Sequence, residues 1–114
     1  MMKQIVFAFV LIGLNSGCGG SRCELDAENY RARECAIKVE ARDFTGKWFS
    51  ITGRNVNKGG QVKYADLGSW YPLFEDHIDI GDTVVKRKNE LVFYIHKKDT
   101  VLTFPFECEG QVIK

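Results

Sequence analysis

Apolar and polar residues alternate most regularly between positions 78 and 108. Leu91, Phe93 and Ile95 fall on one side of an extended chain, with Val92, Tyr94 and His96 on the other. Leu102, Phe104 and Phe106 share a face opposite Val101, Thr103 and Glu107. A strand sends successive side chains to opposite faces, so this period of two predicts strands with one buried side. The polar connectors Lys88-Asn89-Glu90 and Lys97-Lys98-Asp99 have hairpin length, and Gly81-Asp82 supplies a break before Thr83. Pro105 has no backbone N–H, which places that part of its strand at an edge or a bulge. The stretch reads as a three-stranded antiparallel meander.

Residues 47–54 alternate again, with Phe49 and Ile51 on one face and Trp48 on the other. Asn55 to Gly60 is rich in turn formers. Residues 61–67 read as a further strand, in which Val62 and Tyr64 compete with Ala65 and Leu67 for the inner face. Five short strands around one small core predict a partly open barrel of OB or SH3 type. Ahead of them, residues 24–42 are rich in Ala, Glu and Arg, which are good helix formers. Leu25, Asn29, Ala32, Ala36 and Val39 recur at helical spacing, and a helix is expected over 25–36. The alternation from Ile37 to Ala41 is compatible with an extended chain. The expected organisation is a mainly β, α+β chain: signal segment 1–17, tether 18–23, helical segment 24–42 and β domain 43–114.

The first residues, MMKQIVFAFVLIGLNSGCGG, place one lysine before an apolar run from Ile5 to Leu14. That run is about ten residues, half of the roughly twenty that span a bilayer. It has the length of a signal-peptide core. Asn15-Ser16-Gly17 then leads into Cys18 and resembles a bacterial lipobox, in which small residues precede a cysteine that is acylated. Asn15 stands where such boxes usually carry leucine. Acyl chains would anchor the protein at roughly 0.8 kcal/mol per buried methylene. No acidic run follows Cys18, unlike the surface-export tags of such lipoproteins, so the resemblance implies the periplasmic side of the outer membrane over the cell exterior.

Charge adds an exclusion. The 114 residues carry 16 Lys and Arg against 15 Asp and Glu, and removing residues 1–17 takes away Lys3 alone. A neutral mature chain lacks the basic surface that grips nucleic acid. The run Lys86-Arg87-Lys88 reads as a solvated strand end.

Cys23, Cys35 and Cys108 remain if Cys18 carries lipid, and an exported compartment permits disulfides. On one continuous helix Cys23 and Cys35 would lie about 18 Å apart. A bridge needs Cα atoms within about 7 Å. The favoured pair is therefore Cys35 with Cys108, with Cys23–Cys108 as the competitor and one thiol left over. No pair of cysteines has the spacing of a zinc knuckle.

The segment IDIGDTVVKRKNELVFYIHKKDTVLTFPF resembles the C-terminal half of small lipid-anchored β proteins of unknown function typical of Bacteroidota. The resemblance lies in Ile78, Ile80, Gly81, Asp82 and Thr83, in Lys86 and Lys88, and in the turn Lys98-Asp99-Thr100. It implies an envelope address and brings no catalytic residues or cofactor. The expectation is a non-enzymatic, membrane-anchored binding or assembly module whose partners are the membrane and another envelope protein.

Trp48, Trp70, Tyr71 and Phe74 are the candidate binding residues, because exposed aromatics enrich recognition surfaces. The competing reading packs Trp70, Tyr71 and Phe74 into one end of the core. Glu75, Asp76, His77, Asp79 and Asp82 form the densest polar cluster and carry the alternative of a metal-dependent hydrolase. Their spacing fits no known ligand motif, so no metal site is assigned. An immunity or inhibitor protein is a further alternative. His96, beside Lys97 and Lys98, reads as a surface histidine.

Overall fold

The computed structural model describes residues 21–114. Cys18 and the apolar run before it lie outside the described residues. The described residues begin with a helix, α1 (Ser21–Arg31), which carries Glu24 in its first turn and Arg31 in its last. Both charges complement the helix dipole. Ala27 and Tyr30 are its buried residues. A helix this short is marginal alone, so tertiary attachments hold it. The Arg31 carbonyl accepts from the Asn89 N–H at 2.8 Å, and the Arg31 guanidinium donates to the Lys114 carbonyl at 2.6 Å. A disulfide joins Cys23 to Cys108 across a Cα separation of 5.9 Å.

Eight strands follow: β1 (Cys35–Thr45), β2 (Trp48–Asn55), β3 (Gln61–Leu67), β4 (Thr83–Lys86), β5 (Val92–His96), β6 (Val101–Pro105), β7 (Glu107–Cys108) and β8 (Gln111–Val112). The first six form one antiparallel sheet in the order β3-β2-β1-β4-β5-β6, and β7 and β8 form a separate small hairpin. Two three-stranded meanders thus meet along β1 and β4.

This corrects the sequence reading in three places. The sheet has six strands instead of five and does not close into a barrel: β3 and β6 are unpaired edges, although the sheet curls enough to bring Tyr64 of β3 within 5.9 Å of Phe93 of β5. The helix stops at Arg31, short of Ala36, and residues 35–45 are a central strand. Strong helix formers continue past Arg31, but Ile37 and Val39 are buried while Lys38 and Glu40 are exposed, and strand partners are available on both sides. Pairing and burial override propensity there. The bridge is Cys23–Cys108, and Cys35 is a free thiol. Cys35 is on β1 opposite Lys86 of β4, whereas Cys23 sits in the first turns of α1.

β1 bends at Glu40, the extra residue of a bulge between Val39 and Ala41. Gly53 lies opposite the bend. A Cβ built there would stand 1.9 Å from the Lys38 carbonyl oxygen, so only glycine fits.

Core rows follow the register. Ile37, Val84, Ile95 and Leu102 form one, and Cys35, Lys86, Phe93 and Phe104 the next. Over this face two 3₁₀ turns, Tyr71–Leu73 and Glu75–His77, carry Trp70, Tyr71 and Phe74 inward. Trp70 meets Phe93 edge-on at 4.9 Å between centroids, Tyr71 stacks on Phe49 at 4.6 Å, and Tyr30 meets Trp70 and Phe106 at 5.0 Å each. Such pairs add about 0.5–1.5 kcal/mol each beyond area burial.

Candidate functional site

Of the four aromatic candidates, the fold leaves one at the surface. Trp70, Tyr71 and Phe74 are core residues, so they offer no binding face. The irregular segment that carries them is the lid of the aromatic cluster. Trp48 is 38% exposed and pairs in register with Leu67, which is 66% exposed. Alternation puts both on the outer face of the sheet, away from Phe49. The Gly68 N–H donates to the Lys47 carbonyl at 3.0 Å and extends the β2–β3 ladder past this pair. An indole and an isobutyl group side by side on a rigid ladder make an apolar contact point. The sequence left Val62 and Tyr64 undecided against Ala65 and Leu67 for the inner face, and the structure buries Tyr64 and exposes Leu67.

The acidic cluster resolves into ion pairs. Lys97 Nζ lies 3.0 Å from Asp79 Oδ2 and 2.5 Å from Asp82 Oδ2. Those contacts hold the Asp79 carboxyl below its usual range and push the Lys97 amine up. The Arg42 guanidinium donates to the Ile78 carbonyl and lies 3.9 Å from Asp79. His77 is turned away onto the ring of Phe104, 5.1 Å between centroids. Burial raises the Glu75 carboxyl, and one of its oxygens is buried without a partner. Among the described residues no three His, Cys, Asp or Glu side chains converge as a metal site. The acids pin the β4 entry turn to the β5–β6 turn.

Lys86 is a further correction. It is 1% exposed and faces the core between Cys35 and Phe93, although the basic run read as solvated. Its Nζ donates to the carbonyls of Arg33 at 2.7 Å and Arg87 at 3.0 Å. Burial lowers its amine to about 8. The signal was present in the sequence, since Lys86 shares the parity of Val84. Beside it, burial pushes the Cys35 thiol up to about 12. A thiol held protonated is a poor nucleophile. An open cleft of about 340 Å³ lies at this end of β1 and β4, lined by Glu34, Cys35, Asn55, Lys58, Lys86 and Arg87.

A second polar group, missed from the sequence, adjoins the first through Arg33, whose carbonyl accepts from Lys86. Tyr64 and Tyr71 hydroxyls lie 2.7 Å apart, and Tyr71 donates to Asp66 Oδ2 at 2.6 Å. Arg33 pairs with Asp66 at 3.5 Å, lies over the Tyr64 ring at 4.9 Å and donates to the Ala65 carbonyl. Burial raises both phenols, Tyr64 to about 12 and Tyr71 further. Both therefore stay neutral near pH 7, and the group acts as a structural clasp between β3 and the residues after α1.

The chain matches no family model, no curated protein and no solved structure. Among the described residues no helix is long and apolar enough to cross a membrane.

Proposed function

We propose that this protein is a non-enzymatic lipoprotein of the cell envelope, held by lipid on Cys18 at the periplasmic side of the outer membrane. Its work is to bind or assemble with another envelope protein. The observation that carries the reading is the Cys23–Cys108 disulfide. Such bridges persist in oxidising compartments and are reduced in the cytosol, so this one supports export. It also lies five residues beyond Cys18. A tether that short keeps the folded domain close to a lipid surface. The likeness to small Bacteroidota lipoproteins belongs to the same reading.

The contact surface in this proposal is the outer-face pair Trp48 and Leu67. Trp48→Ala loses a cross-strand pair worth about 0.2–1 kcal/mol and should leave the protein folded, which circular dichroism checks. It should sharply reduce recovery of an envelope partner when the tethered protein is captured from solubilised membranes. Intact mass of the mature protein should show acyl chains on Cys18. Normal processing and membrane retention of Cys18→Ala would refute the anchor. A partner captured equally well by Trp48→Ala would refute the surface.

A further inference from the structure

The two sheet edges are not equivalent. In antiparallel pairs, residues that exchange both backbone hydrogen bonds alternate with residues whose N–H and C=O point away. The Phe106 N–H donates to the Leu91 carbonyl at 2.9 Å and the Lys97 N–H to the Thr100 carbonyl at 2.8 Å. With the β5–β6 register, this phase points the backbone groups of Val101 and Thr103, and the carbonyl of Pro105, outward from the sheet. The same rule points Gln61, Lys63, Ala65 and Leu67 outward on β3. There, Arg33 already occupies the Ala65 carbonyl, and Lys63 adds a charge. Charge and cover are what proteins use to block edge pairing. β6, of sequence VLTFP, has no charge. Its one block is the missing donor of Pro105.

We propose that β6 pairs antiparallel with β6 of a second copy, about a two-fold axis at Thr103. The strand is complementary to itself in that register. The two Thr103 residues exchange both backbone bonds, and each Val101 N–H meets the other copy's Pro105 carbonyl. Pro105 thus sits where its carbonyl is used. On the inner face, Leu102 of one copy stands against Phe104 of the other, in the close pairs between bonded positions. Leu102 and Phe104 are both only half-buried in the single chain, so pairing covers what the fold leaves open. On the outer face, Val101, 47% exposed, comes beside Pro105 of the other copy. That position is the rim of an open cleft of about 400 Å³ which Pro105 lines together with Val92, Tyr94 and Val112. One five-residue strand pair is smaller than the roughly 1,200–2,000 Å² of a stable interface, so the dimer is a weak one. The inference does not depend on lipid attachment or on Trp48.

The test is sedimentation equilibrium of the full chain from micromolar to millimolar concentration. It is repeated with Thr103→Lys, which sets like charges face to face on the axis, and Thr103→Pro, which removes the outward N–H. Neither change touches the β5–β6 ladder, and circular dichroism checks the fold. The expected result is a mass that rises toward twice the monomer for the native sequence, with dissociation constants at least tenfold weaker in both variants. Should Thr103→Pro fail to fold, Thr103→Lys carries the comparison. A native chain that stays monomeric to millimolar concentration overturns the proposal. So does a dimer indifferent to Thr103→Lys. A photo-crosslinker at position 103 that captures a different protein in membranes, in place of a second copy, also overturns it.

Discussion

Lys86 places an ammonium group on the apolar side of the sheet, satisfied by two carbonyls and no carboxylate. Its amine titrates near 8 in the folded protein against an ordinary value of 10.5. Between those values the unfolded chain holds the proton that the folded chain has lost, so the lysine makes stability rise with pH. Cys35 acts in the opposite sense. Its folded value of about 12 exceeds the ordinary 9.0, so its contribution falls as pH rises above 9. The lysine therefore stands alone between about pH 8 and 9. Urea unfolding of the native protein should gain up to about 1 kcal/mol relative to Lys86→Met over that interval. Parallel pH profiles for the two proteins would contradict the buried charge. Gly53 is the other single-residue constraint. Gly53→Ala forces a methyl group onto the Lys38 carbonyl and should destabilise by about 3 kcal/mol or more, read from the same denaturation curves. Residue-scale alternation was legible for Phe49, Ile51, Phe93 and Ile95, all buried as their parity demands. It was equally legible for Lys86, where the charge of the side chain outweighed its position in the reading. Trp70, Tyr71 and Phe74 lie in irregular backbone, where no period says which side faces in.

Among the elements, α1 depends most on attachments outside itself. Among its described side chains it buries Ala27 and Tyr30, and it is held by the bridge to Cys108. Cys108→Ser should cost about 2–5 kcal/mol of stability. In hydrogen exchange, the amides of α1 should lose protection well before those of β1 and β5. Unchanged α1 protection in the variant would show that packing alone retains the helix. The boundary between α1 and β1 was the least readable feature of the chain. Ala, Glu, Lys and Arg continue across it, and they suit an exposed helix face or an exposed strand edge alike. What decides is the pair of neighbours, β2 and β4, which arrive from later in the sequence. The bulge at Glu40 hid the strand further by shifting its period halfway along.

At the scale of the whole molecule, the strands β2 to β6 were legible one by one, and their assembly was not. Reading five strands without β1 leaves two hairpin groups with no strand to join them. Once β1 stands between β2 and β4, the two groups join as one six-stranded sheet whose edges β3 and β6 stay unpaired. The cysteines show the same dependence. Cys108 was expected to close a bridge, and its partner changed because the helix ended early enough to leave Cys35 on a strand. The bridge therefore joins the first and last of the three cysteines among the described residues and skips the one between. If the chain is exported and Cys18 carries lipid, as proposed, Cys23 and Cys35 reach the oxidising machinery long before Cys108. Oxidation in order of arrival would join the wrong two. Cells lacking a disulfide isomerase should accumulate a Cys23–Cys35 species, visible by peptide mapping under non-reducing conditions, while a Cys35→Ala chain should mature normally in the same cells.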